Sequence, residues 1–398
     1  MSKPRAVDCQ AFAGGFTLGV VQAGFDLVGK REQVGGFGVA NCEANRALLG
    51  DKWEAEAVDP ADWTVPSGRI DLVFGNPPCS GFSTYTPHAH RGIDAAINAY
   101  MWAFVRYAAR MAPPIVMFES VRQAYGVGRS LMLELRAELE TLTGKRYELT
   151  HVLVDAHTLG GPAIRRRYFW VASRVPFGAA PPPLPFLATV ADALGDLEPL
   201  ALTWARQPYR ARPTRWSDTR RSPSGFVDGH VVNQTPGARR LAALLAEVPW
   251  EPGARYDDVL AAEYAARGHL PEAMRSAEAL LAAGKPTTTF FASAPRRWPW
   301  DGPGRVISGG GLDQIVHPRL PRLITFREAA RLMGFTDDWR IEPLRDTSNM
   351  AATWGKGVTV DAGRWLAKQA LHALDDAGLP LGAPIGDRER LLDVSRGA

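Results

Sequence analysis

Cysteine is scarce in this chain: Cys9, Cys42 and Cys79 are the only three in 398 residues. That excludes a disulfide-stapled scaffold, and with no CxxC pair it excludes a zinc site of the usual spacing. A reducing compartment is the simplest setting. No apolar run approaches the roughly 20 residues that cross a bilayer, and the first residues lack a signal-peptide pattern. A soluble, cytoplasmic protein without a membrane partner is expected. An excess of one charge is missing too. Lys and Arg number 46 against 42 Asp and Glu, a formal charge of +4. This mildly basic balance is compatible with nucleic acid but does not argue for it. Hydrophobic residues make up 46%, which is globular rather than disordered composition. The length suits one large domain and a smaller one.

Short apolar runs alternate with amphipathic stretches in the first part of the chain. Ala6–Cys9, Ile70–Phe74, Ile115–Phe118, Tyr147–Val154 and Tyr168–Ala172 read as strands, with helices over Phe16–Ala23 and Ile93–Met111. This alternation predicts an α/β, Rossmann-like fold with a mostly parallel sheet and helices on both faces. Ligands of such sheets sit beyond the carboxyl ends of the strands, where Gly14, Gly15, Glu32, Cys79 and Glu119 fall. Near residue 176 the composition shifts to a Pro-rich connection, AAPPPLP. Residues 206–221, RQPYRARPTRWSDTRR, place aromatics among arginines, and three helix-like stretches follow. A helical pattern returns at ITFREAARLMGF and continues in Val358–Leu374. The predicted division is a large domain of residues 1–190 and 316–398 interrupted by a small one of 191–315.

The strongest chemical signal is NPPCSGFS, residues 76–83, just after the strand IDLVF. A lone cysteine is usually a small buried core residue. Here two prolines stiffen a strand-to-helix loop that can expose the thiol, and helix N-terminal dipoles can lower its pKa. Cys79 therefore reads as a nucleophile. Glu119, in FESV at the end of the next strand, puts a carboxyl group at the same crevice. Arg165 and Arg167, in GGPAIRRR, suit carboxylate, phosphate or base-oxygen contacts.

Taken in this order, the elements resemble the cytosine-C5 DNA methyltransferases over nearly the whole chain except the small domain. VDCQAFAGGFTLG aligns with the family's first motif, and the resemblance puts Gln10, Phe12, Gly14, Gly15 and Phe16 at the cofactor. It also implies that Glu32 holds the cofactor ribose and that Asp59 lies near the adenine. Asn76 and Pro77 belong to the nucleophile motif. RLITFREAARLMGF matches the ninth motif, and Lys356, Gly357 and Val358 lie in the tenth. The implied chemistry is addition of the Cys79 thiolate to C6 of a flipped cytosine. Glu119 would stabilise the ring protonated at N3, Arg165 and Arg167 would sit near O2, and C5 would take a methyl group from S-adenosylmethionine. The small domain would recognise double-stranded DNA through Arg206, Arg210, Arg212, Arg215, Arg220 and Arg221, with no metal and with the protein as a monomer.

Five positions depart from the family pattern: Gln10 for an aromatic, Phe12 for glycine, Ser120 for asparagine, Ala163 for glutamine and Lys356 for asparagine. Gln10, Phe12 and Lys356 lie in the motifs that wall the cofactor. An ammonium beside a sulfonium is repelled. A carboxylated donor, carboxy-S-adenosylmethionine, paired with Lys356 is therefore the alternative, giving 5-carboxymethylcytosine. Two further alternatives are action on transfer RNA and DNA binding without turnover.

Overall fold

The apolar runs of the first 175 residues become strands of one sheet. The computed structural model describes residues 3–84, 86–178, 187–285, 295–307, 312, 315–341, 353–376 and 389–395. Its eight-stranded sheet contains β1 Arg5–Cys9, β2 Asp26–Glu32, β3 Glu54–Ala57, β4 Leu72–Gly75, β5 Ile115–Ser120, β6 Glu148–Asp155, β7 Arg166–Ser173 and β8 Glu389–Val394. Their spatial order is β8-β6-β7-β5-β4-β1-β2-β3. All pairings are parallel except those of β7, which runs antiparallel between β5 and β6. This is the expected α/β, largely parallel architecture.

Central strands covered on both faces need apolar side chains in unbroken runs rather than in alternation. LVFG in β4 and IVMF in β5 meet that requirement and are wholly buried. Consecutive residues serve opposite faces. Trp170 stacks on Phe118, within a core that includes Met101, Phe104, Leu131 and Leu135 of helices α2 Ala99–Ala109 and α3 Arg129–Thr143. Its neighbour Phe169 meets Phe16 of helix α1 Gly15–Ala23, and the Phe16 ring also packs edge-on to Phe74 at 4.9 Å.

Strand β2 breaks the apolar rule, and the sequence reading has no strand there. Lys30, Arg31 and Glu32 are all buried in it. The Lys30 ammonium lies 3.2 Å from the Asp8 carboxylate on β1, and Thr17 donates a hydrogen bond to the same carboxylate. Burial works against the Lys30 charge, but Asp8 together with Cys42, Glu32 and Cys9 outweighs it, and the Lys30 pKa is raised. Strand β8 is a second addition. Its Glu389 accepts two hydrogen bonds from Arg129, at 2.9 and 2.8 Å, and lies 2.6 Å from His151 Nε2 on β6.

The chain divides into two units. The first holds Met1–Gly161, Arg165–Leu187 and Gly357–Ala398; the second holds Pro162–Ile164 and Ala188–Lys356. In the second, helices α4 Pro236–Glu247 and α5 Tyr256–Arg267 enclose a core that includes Leu241, Leu244 and Leu260. Helix α6 Phe326–Leu332 starts with a Thr325–Glu328 capping box. The sequence reading ends the small domain at 315, whereas residues 316–356 group with this second unit. The physical tie is a buried ion network: Arg331 pairs with both Asp196 and Asp337, and Tyr209 donates to Asp337 at 2.6 Å.

In the first unit, α1 packs against the long helix α7 Val360–Asp376 through glycine. A Cβ on Gly19 would stand 2.5 Å from Arg364 N and 2.7 Å from Val360 O, both backbone atoms that cannot turn aside. Gly19→Ala is expected to lower unfolding stability by about 1–3 kcal/mol in urea titration, the usual range for overpacking. Gly126→Ala, where an added Cβ meets nothing within 4 Å, should stay within about 0.5 kcal/mol of wild type.

Candidate active site

Five strands, β1, β2, β4, β5 and β7, deliver candidate site residues to the carboxyl edge of the sheet. β4 ends where the Asn76 amide donates to Cys9 O at 3.0 Å, and Pro77, Pro78 and Cys79 follow. Gly75 is required here, since a Cβ would lie 2.2 Å from Cys9 O. The loop after Cys79 is closed at its base. Gly92 N donates to Gly81 O at 2.9 Å, and the buried Asn98 side chain donates to Gly92 O and Ile93 O at 2.9 and 2.8 Å. A Cβ on Gly81 would stand 2.6 Å from Asn98 Oδ1. The sequence reading passes over Asn98; the GID turn before it is its one local signal.

β5 brings Glu119 and Ser120. Because β7 is antiparallel, Tyr168 pairs with Ser120, and the residues just before it arrive at this same edge. Arg167 Nε lies 2.5 Å from Glu119 Oε1. The contact lacks the angle of a hydrogen bond, so both Glu119 carboxyl oxygens remain without a directed donor. Arg165 is buried, and its guanidinium donates to Gly357 O at 2.6 Å. Its backbone amide donates to Asp155 at 3.0 Å.

Burial raises the Glu119 pKa above the ordinary carboxyl value, against the pull of Arg167 and then Arg165. Cys79 is half-buried. Desolvation and then the Glu119 charge push its thiol up to about 11, opposed by Arg167, the Val121 amide and the Ser120 hydroxyl. Desolvation thus works against the charged form of both groups, and such a pair can serve as acid and nucleophile.

The turn from β1 into α1 is backbone-strained. Gln10 and Phe12 have φ of 62° and 49°, in the region glycine favours. Gln10 N donates to Arg31 O at 2.8 Å, and Asn41 Nδ2 donates to Phe12 O at 2.7 Å. Gln10 is buried and Phe12 partly exposed. Gly14 caps α1 from a left-handed conformation, with Gly15 as the helix's first residue. The Phe16 side chain is committed to the core. At the end of β2, the Glu32 carboxyl accepts from Gln33 N at 3.2 Å, and burial raises its pKa to about 7. A Cβ on Gly38 would reach within 2.2 Å of Glu32 Oε2 and 3.0 Å of Ala11 N. Asp59 is exposed and accepts from Ala61 N at 2.9 Å, capping a turn. Asn76, Pro77, Gly357 and Val358 are buried, whereas Lys356 is exposed in the second unit.

The six arginines of the second unit part ways. Arg206, Arg210, Arg212 and Arg215 are exposed. Arg220 is buried over the Trp216 ring. Arg221 pairs with Asp196 at 2.8 Å and lies over Tyr209. The last two serve the interior of their unit. Among the described residues, no group of three or more His, Cys, Asp or Glu side chains is placed to hold a metal ion. None of the helices is long and apolar enough to cross a membrane.

Residues 5–372 match the sequence model of the C-5 cytosine-specific DNA methylases. The Type II methyltransferase M.XorII of Xanthomonas oryzae pv. oryzae is 26% identical over 374 residues, covering 85% of this chain and 78% of that protein. M.AgeI of Thalassovita gelatinovora, another Type II methyltransferase, is 25% identical over 410 residues, covering 84% of this chain and 92% of that one. A crystal structure of an E. coli prophage protein described as a DNA modification methyltransferase has the same fold. Its TM-score is 0.67 at 19% identity, with 94% of this chain covered.

A thiol with its pKa near 11 has a thiolate fraction that grows about tenfold per pH unit throughout the neutral range. Alkylation of Cys79 by iodoacetamide should therefore accelerate about tenfold per unit from pH 7 to 9 without levelling off. Peptide mapping should find Cys9 and Cys42, both buried, unmodified in the folded protein. A plateau below pH 9 would show an ordinary exposed thiol.

Proposed function

The chain belongs to the C-5 cytosine-specific DNA methylases, and on that footing we propose that it methylates C5 of a cytosine extruded from duplex DNA, through a covalent adduct with Cys79. The observation that carries this reading is the convergence of Cys79, Glu119 and Arg167 at one strand edge, with Arg167 Nε 2.5 Å from Glu119 Oε1.

The carboxyl ends of β1 and β2 fit S-adenosylmethionine. A buried acid, Glu32, stands there with the cradle of Gly36 and Gly38 against it, which any Cβ would fill. Glu32 would hold the ribose hydroxyls, and the left-handed turn from Gln10 to Gly14 would admit the ligand close to backbone. When bound, the cofactor supplies an electrophilic methyl group on sulfonium.

The reaction then depends on this chain's own groups. Glu119, its pKa raised by burial, shares its proton with N3 of the base and makes C6 electrophilic. The Cys79 thiol gives up its proton to solvent as sulfur bonds to C6. Arg167 and Arg165 offset the negative charge that gathers at sulfur and at O2. The adduct has an enamine carbon at C5, which would take the methyl group as the sulfonium S–CH3 bond breaks and a neutral thioether is left. Loss of the C5 proton with expulsion of Cys79 restores the ring. A stacked base presents neither face of C6, so the cytosine must leave the duplex, at a cost of roughly a few kcal/mol.

The second unit, with Arg206, Arg210, Arg212 and Arg215 exposed, is read as the target-recognition part. Charge reversal at Arg210 and Arg212 should weaken duplex binding and flatten its dependence on salt, while cofactor binding stays. Loss of cofactor binding with unchanged DNA affinity would misplace the recognition surface.

The central test uses duplex DNA with 5-fluorocytosine at the target, where loss of the C5 substituent is blocked. Wild type should form a denaturation-resistant adduct and Cys79→Ser none. Glu119→Gln should slow adduct formation by about 10²–10⁴ with DNA affinity nearly unchanged. Nucleoside mass spectrometry of ordinary substrate should find 5-methylcytosine. An adduct that survives Cys79→Ser overturns the mechanism, and a carboxymethyl mass overturns the donor.

A further inference from the structure

Ser120 stands where the family pattern has asparagine, and its hydroxyl has no hydrogen-bonding task in the resting protein. The residue is 0% exposed, and its Oγ lacks a hydrogen-bond partner. Its cross-strand neighbour on β7 is Tyr168, whose own hydroxyl is engaged with His151 Nδ1 at 2.7 Å. A buried hydroxyl that has lost water and gained nothing destabilises the fold that holds it. Alanine would fill nearly the same space without that penalty.

The placement of the side chain shows what the hydroxyl is near. Side chains alternate along a strand, so Ser120 shares its face of β5 with Phe118 and not with Glu119. Phe118 belongs to the apolar core against which Cys79 packs. Ser120 thus approaches the thiol from the core side, and its hydroxyl is among the groups that favour the charged form of Cys79. No directed hydrogen bond joins them at rest, as suits a neutral thiol, which is a weak acceptor. A thiolate is a charged acceptor, and an O–H donor makes a shorter and stronger bond to it. We propose that Ser120 is a positioning residue for the nucleophile: its hydroxyl turns to Cys79 and donates a hydrogen bond to the sulfur while the sulfur carries negative charge, on entry into the adduct and again on departure from it. The proton stays on Ser120 throughout, so no bond to its oxygen is made or broken. The assignment rests on the reading that Cys79 attacks C6.

Two electrophiles separate this role from packing. In the full-length protein, Ser120→Ala removes the donor. Single-turnover adduct formation with the 5-fluorocytosine duplex should slow about tenfold, the worth of a hydrogen bond to a charged group. Alkylation of Cys79 by iodoacetamide at pH 8, without DNA, should slow about threefold, because a roughly tenfold smaller thiolate fraction is partly offset by the greater nucleophilicity of a more basic thiolate. Duplex affinity should be unchanged, and the melting temperature should not fall. Ser120→Thr, which keeps the hydroxyl, should restore both rates. Slower adduct formation with unchanged alkylation would make Ser120 a packing residue and overturn the proposal. Unchanged rates in Ser120→Ala, or slow rates in a folded Ser120→Thr, would overturn it too. An adduct that persists in Cys79→Ser would instead sink the mechanism, while the alkylation arm, which uses no DNA, still tests Ser120.

Discussion

The chemistry at the carboxyl edge depends on one strand running against its neighbours. Were β7 parallel to β5 and β6, the residues before it would emerge at the opposite edge, a full strand length from Glu119. Antiparallel insertion, fixed by the register of Ser120 with Tyr168, sets Arg167 against Glu119. It also leads Arg165 to the Gly357 carbonyl. Two stretches more than forty residues apart in sequence thus meet without any long loop reaching across.

Two opposing effects are balanced there. Desolvation favours neutral forms of both Glu119 and Cys79, while the two arginines favour charged ones. Desolvation prevails for each acid. The consequence for Cys79 is a resting thiol instead of a standing thiolate open to oxidation or metal capture. The same edge carries strain at Gln10 and Phe12, where the chain uses side chains in a conformation that glycine adopts without cost. The core around Phe118, Trp170 and Leu135 is packed apolar contact.

What the sequence made legible follows from how each element is stabilised. Strands β4 and β5 are visible as apolar runs because hydrophobic burial alone holds them. β2 is invisible to that criterion: its buried Lys30 is compensated by Asp8, twenty-two positions earlier, and no local pattern encodes such a pairing. β8, ERLLDV, carries too much charge to read as a strand, and its ties to Arg129 and His151 are equally remote. Cys79 and Glu119 could be read because proline and strand ends mark them locally. The separation of Arg220 and Arg221 from their exposed neighbours could not, since composition does not distinguish an arginine over an indole from one in water. Asn98 escaped for a similar reason: a clasp between loop ends appears only when the loop is closed.

Strand β8 also bears on how this chain is made. It pairs with β6, yet more than two hundred residues separate them, among them all of the second unit. During synthesis the outer edge of β6 must wait, its backbone groups uncovered, until β8 has left the ribosome. An unpaired edge is a template for pairing with another nascent chain, so the interval is a hazard of crowding that the finished sheet no longer shows. The carboxylate of Glu389 gives the late arrival a means of finding its place, since Arg129 and His151 already flank the vacant edge. Expression yield should thus be more sensitive to translation speed over the second unit than the stability of the final fold would suggest.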